Sequence, residues 1–174
     1  MMICKLRINE FVASVLPFLK KKYLKYENYK EQTIEDIFTP EQLSKAIKLD
    51  AYTMQSSVFI NNKNGTFTAK ALPTEAQLSS MYGIAAEDFD KDGNIDILMG
   101  GNFYQSKPEV GIYDASYGTL LKGDGKGNFK VLLPQQSGIS IRGAVRDIVV
   151  IKMGEKKMAV IAKNNNKLQL IEFQ

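Results

Sequence analysis

The chain of 174 residues has no histidine, no tryptophan and a single cysteine, Cys4. Without histidine it holds no Ser-His-Asp or Cys-His catalytic set and no imidazole metal site. One thiol excludes an internal disulfide and a thiolate zinc site. The metal chemistry left open is that of hard oxygen ligands, carboxylates and carbonyls. No stretch approaches the ~20 apolar residues of a membrane-spanning helix. The run 11–19 is apolar, but Glu10 precedes it, three lysines follow it and no small-residue cleavage site closes it, so it reads as a packed helix and not as a signal-peptide core. Cys4 stands too close to Met1 for a lipoprotein signal to precede it. What the chain does have is material for a core. Hydrophobic residues make up 44% and charged residues 24%, both near globular averages. The length suits one domain or a piece of a larger one.

Lysine plus arginine exceeds aspartate plus glutamate by 23 to 19, for a net charge of +4. The densest basic cluster is Lys20, Lys21, Lys22 and Lys25, with Tyr23 and Tyr26 interleaved. Ordinary charge patterning on a helix gives such a run, so we read it as a solvated face. A phosphate-tracking, nucleic-acid-binding face is the lesser alternative.

Residues 1–50 read as helical. Asn9 is a plausible N-cap, with Phe11, Val12, Val15 and Leu16 on one apolar face. Pro17 interrupts or restarts that helix, and 18–26 continues its spacing. A short helical turn is expected within 33–38. Thr39-Pro40-Glu41-Gln42 has the form of a capping box with proline in the first helical position, and predicts a helix running to about Lys48. After Ala51 the texture changes to short apolar runs divided by Gly, Asn and Asp. Nine strands are expected, at 57–61, 67–71, 84–88, 95–99, 118–122, 129–133, 144–152, 157–163 and 168–173. Such spacing suits a sandwich, a barrel or a propeller.

An internal repeat narrows the choice. The segment 59–67 resembles 121–129: each is a strand, an Asn/Gly/Asp-rich turn and a phenylalanine that starts the next strand, and each leads on to Leu-Pro. Phe67 and Phe129 stand 62 residues apart, and Gly83 and Gly143, each ahead of an apolar run, stand 60 apart. A period near 60 fits a four-stranded propeller blade with its loops.

The sharpest motif is Asp88-Phe89-Asp90-Lys91-Asp92-Gly93-Asn94-Ile95-Asp96. Alternate carboxylates on a tight loop turn inward to one point, and Gly93 permits the turn. In that geometry Asp88, Asp90 and Asp92 offer side-chain oxygens, Asn94 its carbonyl, and Asp96 binds directly or through water. Four like charges within nine residues repel unless a cation sits among them. Oxygen ligands on a flexible ring select Ca²⁺ over Mg²⁺. The loop is not an EF-hand, because the twelfth position is Met99 and its flanks read as strands. The corresponding turn at 152–157 keeps a glycine but no acidic cluster, so one metal site is expected.

These residues carry a family resemblance. The segment 88–99, with the Gly-Asn-Phe turns, resembles an FG-GAP or VCBS repeat of the kind found in integrin-type β-propellers. Gly101-Asn102-Phe103-Tyr104, the segment 107–118 and Gly123-Asp124-Gly125-Lys126-Gly127-Asn128-Phe129 resemble the C-terminal end of VCBS-repeat proteins of the ASPIC and UnbV group from Bacteroidetes-type bacteria. The resemblance implies a mainly β chain with an N-terminal helical segment, forming a partial β-propeller of a little over two blades. In that frame 1–50 is a helical insertion or cap and 51–174 holds the blades: an outer hairpin at 57–71, a full blade at 84–133 and a last blade at 144–173. It further implies a calcium-binding, non-enzymatic module with no catalytic residue, exported or at the cell surface, although the chain shows no signal peptide. The remaining blades would lie outside this chain, which would then be a C-terminal portion of a larger binding protein or a truncated gene product; an alternative is that several copies assemble a ring. The aromatic and charged loop 102–117, with Phe103, Tyr104, Lys107, Glu109, Tyr113, Asp114 and Tyr117, is the candidate surface for a protein or glycan partner. The alternative is a propeller-type enzyme whose active site lies in those other blades.

Overall fold

The computed structural model describes residues 16–23, 26–28, 31–108, 110–154 and 156–173. The predicted first helix, with Asn9, Phe11, Val12 and Val15, lies outside these residues, as do Cys4, Lys25, Glu109 and the side chain of Lys20. The chain divides into two units, Met1–Tyr52 and Thr53–Gln174.

The first unit holds short helices: α1 (Phe18–Lys22), α2 (Ile34–Ile37) and α3 (Pro40–Ser44), with a 3-10 turn at Tyr26–Asn28. Leu19 and Ile37 are buried together, with Leu16, Tyr23 and Phe38 against them. Thr33 N–H donates to the Asp36 carboxylate (2.8 Å), and these bonds hold the Asp36 pKa below its ordinary value. The Thr39 capping box forms as expected: Gln42 N–H donates to Thr39 Oγ1 (3.3 Å) and Thr39 N–H to Gln42 Oε1 (2.9 Å). The helix stops at Ser44 and does not reach Lys48. Ile47 is exposed, so no apolar face holds a further turn, and a single unsupported turn is unstable in water. The lysine run is partly structural, for Lys22 Nζ donates to the carbonyls of Asp36 (2.7 Å) and Ile37 (3.2 Å) at the end of α2.

The second unit is built of β-structure. All nine expected strands form: β1 (Ser57–Asn61), β2 (Phe67–Ala71), β3 (Met81–Glu87), β4 (Asp96–Gly101), β5 (Thr119–Gly123), β6 (Phe129–Leu132), β7 (Val145–Met153), β8 (Lys156–Lys163) and β9 (Gln169–Phe173). They make three antiparallel sheets, a two-stranded β1-β2, a four-stranded β3-β4-β5-β6 and a three-stranded β7-β8-β9. A short helix, α4 (Pro134–Ser137), joins the last two sheets and ends on Gly138, whose φ of 68° suits glycine. The sheets do not close into a ring among the described residues.

β3 begins three residues before its expected start and β4 ends two residues after its expected end, both across glycines. Glycine alone suggests a strand end, but here it makes room. A Cβ on Gly83 would lie 2.7 Å from Ile148 Cγ1, and one on Gly100 would lie 3.0 Å from Val145 Cγ2. The middle and last sheets therefore approach each other through bare backbone.

The repeat is exact in register for the hairpins. Val58 pairs with Lys70 and Phe59 with Ala69, as Leu120 pairs with Leu132 and Leu121 with Val131. Both turns close by the same bond, Asn62 N–H to Thr66 O (3.0 Å) and Asp124 N–H to Asn128 O (3.1 Å). For the inner strands the glycine alignment does not hold. Gly83 lies inside β3, whereas Gly143 precedes β7 at φ 100°. The true landmark is a β-bulge, between Met81 and Gly83 in β3 and between Val145 and Asp147 in β7. Counting from the bulges, Ile84 paired with Met99 corresponds to Ile148 paired with Ile161.

Two cores result. Ala85, Leu98 and Leu120 of the middle sheet meet Val145, Ile148, Ala159 and Ile161 of the last. On its other face Ile97, Met99 and Leu121 meet Leu72 and Ala76, with Val58 of the hairpin against them.

Candidate metal centre

The acidic motif is the loop between β3 and β4, an antiparallel hairpin as expected. Lys91 and Gly93 both take positive φ, 62° and 87°, which curls the loop back on itself. The carboxylates bind the loop's own amides. Asp88 accepts from Asp92 N–H (3.2 Å) and Gly93 N–H (3.0 Å), and Asp90 accepts from Asp92 N–H (3.2 Å). Asp96 opens β4 and is buried. Its two oxygens accept from Phe89 N–H of the loop (3.1 Å) and from Gly123 N–H of β5 (2.9 Å), so it ties the loop to the neighbouring strand.

Asp88, Asp90 and Asp96 each offer a carboxylate oxygen within 4.8 Å of the other two. Asp92 does not join this group. Its Oδ1 accepts from Asn94 N–H (2.8 Å) and its Oδ2 pairs with Lys122 Nζ (3.0 Å), which lowers its pKa. The Asn94 side chain lies against Gly125, where a Cβ would come within 2.4 Å of Asn94 Oδ1. Of the five candidate ligands, then, three carboxylates stand together and two residues stand beside them. The chemistry of this donor set fits a hard divalent cation: three carboxylate oxygens, no nitrogen and no sulfur.

Two lysines from other strands reach the loop, and sequence reasoning missed both. Lys122 of β5 pairs with Asp90 and Asp92, and the Asp90 bond foremost holds its pKa well above the ordinary lysine value. Lys157 of β8 donates to the Asp88 carbonyl and pairs with Glu87 (3.1 Å), lowering the Glu87 pKa. Only sheet pairing and sheet stacking bring them there, since they lie far along the chain. The next glycine-rich turn carries no such group. Asp124 is consumed by Asn128 and by the N–H of Lys126, which pull its pKa down to about 2. The β7-β8 turn at Gly154 has no acidic cluster among its described residues.

The loop 102–117 is organised around Asn102, a third residue whose role sequence reasoning did not give. Asn102 is buried at φ 79°. Its amide donates to Ser116 O (2.7 Å), Asp114 Oδ1 (3.1 Å) and Gly143 O (3.2 Å), and its oxygen accepts from Ser116 N–H (2.9 Å). Phe103 bridges to Tyr113, and Tyr104 donates to Asp114 (2.5 Å), which raises the Tyr104 pKa to about 12. Tyr113 and Tyr117 remain exposed, and the Arg142 guanidinium stacks 5.4 Å over the Tyr117 ring.

No helix among the described residues is long and apolar enough to cross a membrane. No curated protein and no solved structure matches the chain. One family does match a part of it. Residues 49–99, which take in the β1-β2 hairpin, β3 and the whole acidic loop, match the FG-GAP-like repeat.

Proposed function

We propose that the chain is a calcium-binding, non-enzymatic module whose three sheets are blades of a β-propeller, belonging to an exported or cell-surface binding protein. One observation carries the reading. The acidic loop inside the FG-GAP-like match brings three carboxylates within ion-binding distance of one another. FG-GAP repeats are usually binding modules without catalysis. In this reading Asp88, Asp90 and Asp96 hold the ion through side-chain oxygens. Asp92 joins them when Lys122 withdraws, and Asn94 contributes its carbonyl. The ion would neutralise the carboxylates and tie the loop to β4, so its binding free energy adds to folding. An affinity in the ~10⁻⁴–10⁻³ M range of extracellular calcium modules would suit a protein working outside the cytoplasm. The loop 102–117 would present Tyr113 and Tyr117 to a protein or glycan partner.

The test is a thermal melt in about 10 mM calcium against the same protein in chelator, where an affinity in that range gives about 1–3 kcal/mol of added stability. The shift should vanish in Asp90→Ala. A wild-type melting temperature that ignores calcium would overturn the reading.

A further inference from the structure

The second unit is a stack of sheets, and the stack has an unfinished face at each end. Across the middle sheet, Ala85, Leu98, Leu120 and Leu132 pair side by side in one row over all four strands. This row lies against the last sheet, and Leu98 and Leu120 keep 0% and 7% of their exposure. The last sheet repeats the row in the same register from its bulge, as Val149, Val160 and Leu170. No described residue covers its ends there: Val149 is 51% exposed and Leu170 58%, with Val160 between them half-buried. Ile151 and Met153, on the same face of β7, are exposed as well.

The other end mirrors this. On the opposite face of the middle sheet, Leu121 and Val131 form a row that lies under the hairpin side carrying Val58, and Leu121 is fully buried. The hairpin's own copy of that row is Phe59 and Ala69, with Phe67 in the place of Phe129. It points away from the middle sheet, and Phe59 is 64% exposed. The molecule thus makes one kind of sheet-on-sheet contact twice inside itself, forward row against backward row. Among the described residues it leaves one forward row bare on β7-β8-β9 and one backward row bare on β1-β2.

From this we infer that a second copy of the chain docks head to tail, its β1-β2 face (Phe59, Phe67, Ala69) seated on the β7-β8-β9 face (Val149, Val160, Leu170) of the first. The occupant follows from the repeat, because the bare faces are the two unmatched halves of an interface already present twice in this chain. The contact is heterologous, so each added copy offers a fresh face and assembly proceeds to a ring or to an open chain of copies. Burying these large apolar side chains supplies the driving force.

The experiment is light scattering after size exclusion, or sedimentation, over a range of concentrations, with two charge-bearing variants. Leu170→Glu spoils the forward face and Phe59→Glu the backward face. Both side chains are more than half exposed, so each variant should fold, which circular dichroism checks. Val149→Lys and Phe67→Glu serve as second choices should either variant unfold. The wild type should gain mass with concentration above its 19.5 kDa monomer. Each variant alone should lose that association. An equimolar mixture should recover a dimer and nothing larger, because one partner keeps its forward face and the other its backward face. A wild type that stays monomeric to roughly 100 μM would overturn the proposal, as those faces then serve sheets of another polypeptide or none. An oligomer that survives both substitutions, or a mixture that stays monomeric while the wild type associates, would overturn it equally. None of these outcomes depends on calcium, so the result is separable from the metal reading.

Discussion

The middle sheet, β3 to β6, and the last sheet, β7 to β9, share a register down to the bulge in their first strand, yet they live in different surroundings. The middle sheet is covered on both faces, and every residue of β4 is buried. The last sheet is covered on one. Where the middle sheet has Asp96 as the buried start of β4, paired with Glu87, the last sheet has Met158 paired with Ile151. The acidic loop follows that difference. A buried carboxylate at position 96 ties the loop to Gly123 of β5, whereas the last sheet turns tightly at Gly154 and needs no anchor. Backbone pairing is thus the common element, and burial and an acidic cluster are added to it locally.

Three measurements would break or sharpen this contrast. The largest effect should come from truncating the covered row. Leu98→Ala empties a fully buried site and should cost about 2–5 kcal/mol, while Val160→Ala at the corresponding place in the last sheet should cost about 1 kcal/mol or less. Denaturant unfolding below the concentration at which copies associate reads both. Equal costs would mean that the last sheet is covered after all. Next comes Asp96→Asn. Asp96 serves two backbone N–H groups, and the amide can keep only one as acceptor, so the loss should be about 1–3 kcal/mol, and it should persist in chelator. Asp90→Ala loses only exposed contacts to Asp92 N–H and Lys122, so by contrast most of its loss should appear only with calcium present. A pair of variants that respond alike would erase the distinction between anchor and ligand.

The smallest effect is on acid stability. Asp124, Asp92 and Glu87 all have folded-state pKa values below their ordinary ones. The unfolded chain therefore takes up protons first, so the stability they give is present above about pH 4 and is lost as pH falls toward the folded values, near 2 for Asp124. Asp124→Asn should flatten the fall in melting temperature between about pH 4 and 2. An unchanged acid slope would locate that sensitivity in the β3-β4 loop alone.

Much of this was legible in the amino-acid order. The strands are short, apolar runs bounded by Asn, Asp and Gly, and local turn chemistry sets where they begin and end. The hairpin repeat was readable because β1-β2 and β5-β6 keep both length and turn. The acidic loop was readable because its carboxylates lie within nine residues. What escaped was governed by distance. Gly83, Gly100 and Gly101 look like strand breakers until the neighbouring sheet and Ser80 are seen to occupy the space a side chain would take. The α3 helix had a correct start signal and no stop signal, since its end is set by the lack of anything for Ile47 to pack on.

The division follows from the range of the forces involved. Turn conformation, capping and the clustering of loop carboxylates are decided by neighbours a few residues away, so the order of amino acids specified them. The arrival of Lys122 and Lys157 at the acidic loop, the role of Asn102 as a buried anchor, and the two bare apolar rows depend on which strands stack against which. Those were settled only when burial chose among the pairings that local chemistry allowed.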